Sequence, residues 1–268
     1  MDQKQFYGFL NTPPLWQNVQ FGIQQFTFPK IDLNHFSTQP IPKRIRLGHQ
    51  MEHVFKQFMA HSDSYEILLH GVPVKRGNRT IGEIDFILME VQIQKLIHVE
   101  LTYKFYLIDP EISEPIHRLI GPNRRDMFFT KIEKIKDQQF PLLHSHEGII
   151  ALSGKAIDSK KIEHQVCFKA QLFAPYRNTE VHIRPLNQGC IFGYWLRFDD
   201  FNTKDFWSNT YYIPFKSEWV VVPHKDVPWS SHHQILMELN LGMLSKNAPM
   251  VWMKKPNGQF DKFFVVWW

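Results

Sequence analysis

The stretch GEIDFILMEVQIQKLIHVELTYKFYL (Gly82–Leu107) decides how the chain is read. It is dense in Ile, Leu, Phe, Val and Tyr, which is the composition of a core β-hairpin. Yet it also carries Glu83, Asp85, Glu100 and Lys104. A turn at Val91–Gln94 sets Glu90 opposite Lys95, an attractive cross-strand pair. The same register sets Leu88 against Ile97, Phe86 against Val99 and Asp85 against Glu100. Because side chains alternate along a strand, Glu83, Asp85, Glu100, Thr102 and Lys104 fall on one face. Ile84, Phe86, Leu88, Ile97, Val99, Leu101, Tyr103 and Phe105 fall on the other.

Two carboxylates opposite each other repel. Three situations relieve them: exposure to water, a shared proton, or a cation between them. A hard divalent cation such as Mg²⁺ takes carboxylate oxygens and keeps several waters. It can activate a water and neutralise a phosphate under in-line attack, and a nearby lysine can stabilise the developing charge. A hairpin with one solvated polar face satisfies the same pattern.

Working outward, Leu47, Met51, Val54, Phe55 and Phe58 recur at helical spacing in RLGHQMEHVFKQFMAHS. YEILLHGVPVK reads as a strand ended by the turn RGNRT. GPNRRDMFFTKIEKIKDQQFP reads as a second helix, starting near Pro122 or Asn123 and ended by Pro141, with Phe128, Ile132 and Ile135 on one face. Arg124, Lys131 and Gln138 form a stripe beside that seam, either a solvated flank or a contact for phosphates. The order helix, strand, strand, strand, helix is a compact α/β unit.

Residues 1–45 are rich in Pro, Gln and Phe and read as an irregular N-terminal arm with one short helix. Beyond about residue 146 the texture changes to short aromatic strands: QVCFKAQLF, CIFGYWLRF, EWVVVP and FDKFFVVWW, with a helix at HHQILMELNLGML. The expected organisation is therefore an arm over 1–45, a core over 46–146, and a β-rich region over 147–268 packed on that core.

The 268 residues are 43% hydrophobic with net charge +5 and pI about 9.1, which excludes a disordered composition and mildly favours a polyanionic partner. Cys167 and Cys190 have neither zinc nor disulfide-framework spacing, which suggests a reducing compartment. The absence of a signal-peptide pattern or an apolar run of membrane-spanning length leads to the expectation of a cytoplasmic protein with no membrane partner. None of the 14 histidines has metalloprotease spacing. His98, two residues before Glu100, is placed to support a site there. No P-loop, Rossmann glycine pattern or nucleophile elbow is present.

An acid on the second strand, then an acid and a lysine on the third, between helices, resembles the PD-(D/E)XK nuclease superfamily. The pieces are Asp85 in GEIDF and Glu100 with Lys104 in VELTYKFYL. More narrowly, LGHQMEHVF, TIGEIDFIL, HVELTYKFYL and GPNRRDMFFTKIEKIKDQQFPL resemble the bacterial family named domain of unknown function 1853, with weaker likeness at CFKAQLFAP and DKFFVVWW. The resemblance implies a restriction-endonuclease-like αβββα core with a mixed sheet, and a metal-dependent nuclease acting on DNA or RNA. Asp85 and Glu100 would hold Mg²⁺ or Mn²⁺, Lys104 would assist the attacking water, and Glu52 on the first helix would be an auxiliary acid. The superfamily spaces its acid and lysine as E-x-K, whereas here Thr102 holds that place and Lys104 lies two residues further on. A non-catalytic nucleic-acid-binding or protein-interaction module on the same fold is the alternative.

Overall fold

A computed structural model describes residues 2–155, 157–178 and 181–268. The strands are β1 (Val19–Gln20), β2 (Ile23–Gln24), β3 (Tyr65–Arg76), β4 (Arg79–Glu90), β5 (Lys95–Ile108), β6 (Leu119–Ile120), β7 (Glu163–Pro175), β8 (Ile191–Arg197), β9 (Thr210–Tyr212), β10 (Ser230–Ser231), β11 (Met250–Lys254) and β12 (Phe260–Val266). The α-helices are α1 (Asp2–Asn11), α2 (Leu47–His61), α3 (Phe128–Lys134), α4 (Phe140–Leu142), α5 (His146–Leu152), α6 (Phe198–Phe201) and α7 (His232–Leu244). Among the described residues one mixed sheet of ten strands runs β10-β9-β11-β12-β8-β7-β5-β4-β3, with β6 appended to β5. The architecture is mixed α/β.

The hairpin of β4 and β5 has the register that the Glu90–Lys95 pair predicts: Leu88 faces Ile97 and Phe86 faces Val99. The ladder stops at that last pair, although β5 runs on to Ile108. On its other edge β5 pairs in parallel with β7 from Ile97 to Leu107. The sheet therefore crosses the expected boundary at 146 without a break, and the C-terminal strands extend it rather than pack on it.

Both faces of β5 are covered. Val99, Leu101, Tyr103, Phe105 and Leu107 lie in one cluster with Met51, Val54, Phe55 and Phe58 of α2. Tyr106 and Ile108 lie in another with Phe128, Ile132 and Ile135. The polar face is thus no solvated outer surface: His98, Glu100 and Thr102 are buried. Residues 1–45 are no free arm either. Phe6 and Phe9 of α1 and Phe26 join the α2 cluster, and Leu15, Trp16 and Ile23 join the α3 cluster. A Cβ on Gly8 would stand 2.3 Å from the carbonyl oxygen of Val220, so a glycine there lets α1 lie directly on that backbone.

Three local expectations are corrected. The second helix begins at Phe128, not near Pro122, because residues 121–126 close a turn (Gly121 N–H to Asp126 O, 2.6 Å) with Arg124 in left-handed backbone at φ 54°. Pro141 does not end it. A π-helical turn, Ile135–Gln139, leads into α4, which contains Pro141. EWVVVP is not a strand: Lys216–Glu218 form a 3₁₀ turn. The carbonyls of Trp219 and Val221 accept from the buried Lys262 ammonium, and that of Val220 from the Gln171 amide, in place of a neighbouring strand.

Candidate functional site

Where β4 leaves β5, Asp85 comes to rest beside Glu100. Asp85 Oδ2 accepts the backbone N–H of Leu101 at 2.9 Å, which ties the end of β4 to the residue after Glu100. Glu100 is 2% exposed. Its Oε1 accepts from Lys131 Nζ at 3.4 Å and from the amide of Gln139, and Lys131 also donates to Gln139 Oε1 at 2.8 Å. Its Oε2 is buried with no protein partner. Burial raises the pKa of Asp85 well above the usual carboxylate range, with the Glu100 charge second, while the Leu101 N–H opposes the shift. Burial likewise raises Glu100, and Lys131 and Gln139 work against it. Burial pulls Lys131 down, resisted by the charges of Glu100 and Asp85.

The other expected residues are placed differently. Lys104 does not turn to the acid pair: its ammonium is 2.5 Å from Asp126 Oδ2. Lys131, expected on a phosphate-contacting stripe, is the cation that reaches Glu100, with its side chain 16% exposed. Arg124 lies before the helix, 3.6 Å from Asp109 and stacked 4.3 Å from the Trp268 ring. Gln138 does not join the site; Gln139 does. The π-turn is the reason. In an uninterrupted α-helix positions seven apart share a face, and one extra residue in the turn moves the match to eight. Arg124, Lys131 and Gln138 therefore form no common stripe.

Glu52 on α2 is 20% exposed, bonds to His49 Nδ1 at 3.1 Å, and its charge adds to the upward shift of Asp85. His98 turns to His164, Nδ1 to Nδ1 at 2.9 Å, and His164 in turn meets His144 at 2.8 Å. Burial holds His98 down to about 3 and His164 to about 4, so both are neutral at physiological pH.

Among the described residues no three His, Cys, Asp or Glu side chains stand close enough to hold a metal ion together. Asp85 and Glu100 remain a pair of hard oxygen donors, one with an unused buried oxygen. Mg²⁺ is held in many sites by one or two carboxylates and its own waters, so the donor set fits such an ion and not a soft, thiolate-seeking one.

A groove of about 830 Å³ is lined by Leu101 and Lys131, the partners of Asp85 and Glu100, while the two acids themselves lie behind its wall. From Glu100 to Tyr106, β5 has a strand neighbour only on its β7 side among the described residues, and this free edge lines the groove. Six cations (Lys43, Arg46, Lys104, Arg125, Lys131 and Lys216) line it against two acids, Glu52 and Asp126.

The acid pair makes a prediction. A carboxyl whose folded pKa is raised contributes stability that is present below its unfolded pKa and lost as pH rises through the folded one. Asp85→Asn keeps an acceptor for Leu101 and cannot ionise. Without divalent cation it should raise the melting temperature near neutral pH by on the order of 1 kcal/mol, or about 2–4 °C, and the gain should vanish towards acid pH. A gain equal at both pH values would show that the charge is not the cause.

No helix is long and apolar enough to cross a membrane among the described residues. No curated protein and no solved structure matches the chain. The family described as domain of unknown function (DUF1853) matches residues 24–266, the hairpin, α2, α3 and the C-terminal strands included, and the chain belongs to that family.

Proposed function

We propose that the protein is a metal-dependent phosphodiesterase of PD-(D/E)XK type acting on nucleic acid, built on a restriction-endonuclease-like core. The observation that carries this reading is the meeting of Asp85 with Glu100, one oxygen of which has no protein partner, directly behind Leu101 and Lys131, which line a cation-rich groove. Asp85 and Glu100 would hold Mg²⁺ or Mn²⁺, which supplies charge neutralisation and a more acidic bound water. Leu101 N–H fixes the Asp85 carboxylate, and Gln139 fixes that of Glu100. Lys131 takes the part assigned to Lys104, because it is the ammonium within reach of the acids. There it can orient the attacking water and stabilise charge on the phosphoryl oxygens. Lys43, Arg46, Arg125 and Lys216 are exposed, form no ion pair among the described residues, and suit phosphates along the strand.

A second reading, a nucleic-acid-binding module without catalysis, is favoured by one observation: Lys104 is neutralised by Asp126. The two are separated by incubating purified protein with a mixed DNA and RNA panel in Mg²⁺ and in Mn²⁺, wild type beside Asp85→Ala. Catalysis predicts cleavage by the wild type, suppressed by chelator and reduced at least about a hundredfold in the variant. Binding that survives in both proteins without any cleavage would leave the second reading. Neither binding nor cleavage would remove both.

A further inference from the structure

The floor of the groove is apolar where a site for phosphates alone would have no use for it. Along one face of β5, Val99 and Leu107 are 0% exposed, but Leu101, Tyr103 and Phe105 between them are each 8% exposed. All three line the groove, together with half-buried Trp219. The Trp219 and Phe105 rings meet almost perpendicular, at 83° with centroids 5.4 Å apart, so Trp219 rises from the floor that Phe105 belongs to. Lys216 Nζ lies 5.5 Å from the centroid of the Trp219 ring, a contact that a flat π-system could replace. Thr102 also lines the groove; it is 3% exposed and its hydroxyl has no protein partner. Around this floor stand the exposed cations Lys43, Arg46, Arg125 and Lys216.

A duplex offers phosphates and the edges of stacked pairs, and keeps its base faces to itself. An aromatic floor inside a basic rim suits the opposite presentation: splayed bases laid on rings, with the backbone followed by cations. We infer that the groove takes an unpaired stretch of nucleic acid, with a base seated on Trp219 beside the apolar floor and phosphates on the basic rim. The inference rests on the nucleic-acid reading above and names the form of polymer that the site accepts. A duplex would have to fray, or yield its end, before its backbone reached Asp85 and Glu100.

The test is fluorescence anisotropy of the full chain at low salt with chelator present, so that nothing is cleaved. The probes are labelled oligothymidylate, an abasic strand of the same length and charge, and a duplex of that length. Oligothymidylate should bind at least about tenfold more tightly than either of the others, the change expected for one base–aromatic stack. Trp219→Ala should bring oligothymidylate down to the abasic level, whereas Arg46→Glu should weaken all three probes. If the abasic strand binds as well as oligothymidylate, the floor is not a base platform; if the duplex binds best, the site takes paired polymer. Either result overturns the inference and leaves the nucleic-acid reading standing. If no probe binds, both fall. The wild-type comparison decides even if Trp219→Ala fails to fold.

Discussion

Lys131→Met should lower divalent-dependent cleavage by at least about a hundredfold, and Lys104→Met should leave it within a few-fold of wild type. The expectation inverts the one that the strand pattern suggests. A strand rises about 3.3 Å per residue, so Lys104 begins about 13 Å along β5 from Glu100, further than a lysine side chain of about 6 Å can span. Its ammonium settles on Asp126 at 2.5 Å. Lys131 comes instead from α3, across the polar face of β5, and stops 3.4 Å from Glu100 Oε1. An ammonium there faces both the acid pair and the groove. Removing one such charge-stabilising donor from a catalytic site costs about a hundred- to a thousandfold in rate. Loss of rate in Lys131→Met with retained Mg²⁺ binding, read from the shift in melting temperature on adding the ion, would assign the role. The reverse result, with Lys104→Met inactive and Lys131→Met active, would overturn the assignment to Lys131.

How far the sequence reveals this site depends on the range of the rule being used. The hairpin register was readable because one turn and one charge pair, Glu90 with Lys95, determine every later pairing until the strands part. That the ladder ends at Phe86 and Val99, opening the edge of β5, follows from long-range packing and leaves no local mark. Helical spacing puts Lys131 on a stripe with Arg124 and Gln138, whereas Gln139 is the residue that stands beside it. Periodicity assumes an unbroken helix, and the π-turn at Ile135–Gln139 breaks it. EWVVVP has the composition of a strand and fails to form one because its carbonyls meet Lys262, a residue more than forty positions away. The N-terminal segment looked irregular, which it is, yet its aromatic side chains are core residues of the sheet's two faces.

That same Lys262 carries the largest stability effect expected outside the site. It is 5% exposed and has no carboxylate partner among the described residues. Burial pulls its pKa well below the ordinary lysine range. Against that, three acceptors converge on the nitrogen: Gln171 Oε1 at 2.7 Å, Val221 O at 3.1 Å and the carbonyl of Trp219. A neutral amine has two hydrogens to donate and an ammonium three, so the full set of acceptors supports the protonated form. Lysine at this point joins β12 to β7 and to the irregular 219–221 segment, on which α1 also rests through Gly8. Gln171 extends the connection, donating to Tyr103 Oη at 2.9 Å beneath the groove floor. Lys262→Met keeps the bulk and leaves three buried acceptors without their donor. Hydrogen bonds to a charged group contribute about 1.5–3 kcal/mol. A loss of at least that order, or a fall of roughly 5–10 °C in melting temperature, is expected by calorimetry. The sign with pH follows from the lowered pKa. Folding disfavours the charged lysine, so in the wild type the cost is present wherever the unfolded chain is protonated, and it fades as pH rises towards the ordinary lysine range. A Lys262→Met protein as stable as wild type at neutral pH would mean that desolvation of the ammonium cancels all three of its bonds, and that the 219–221 segment holds its course without them.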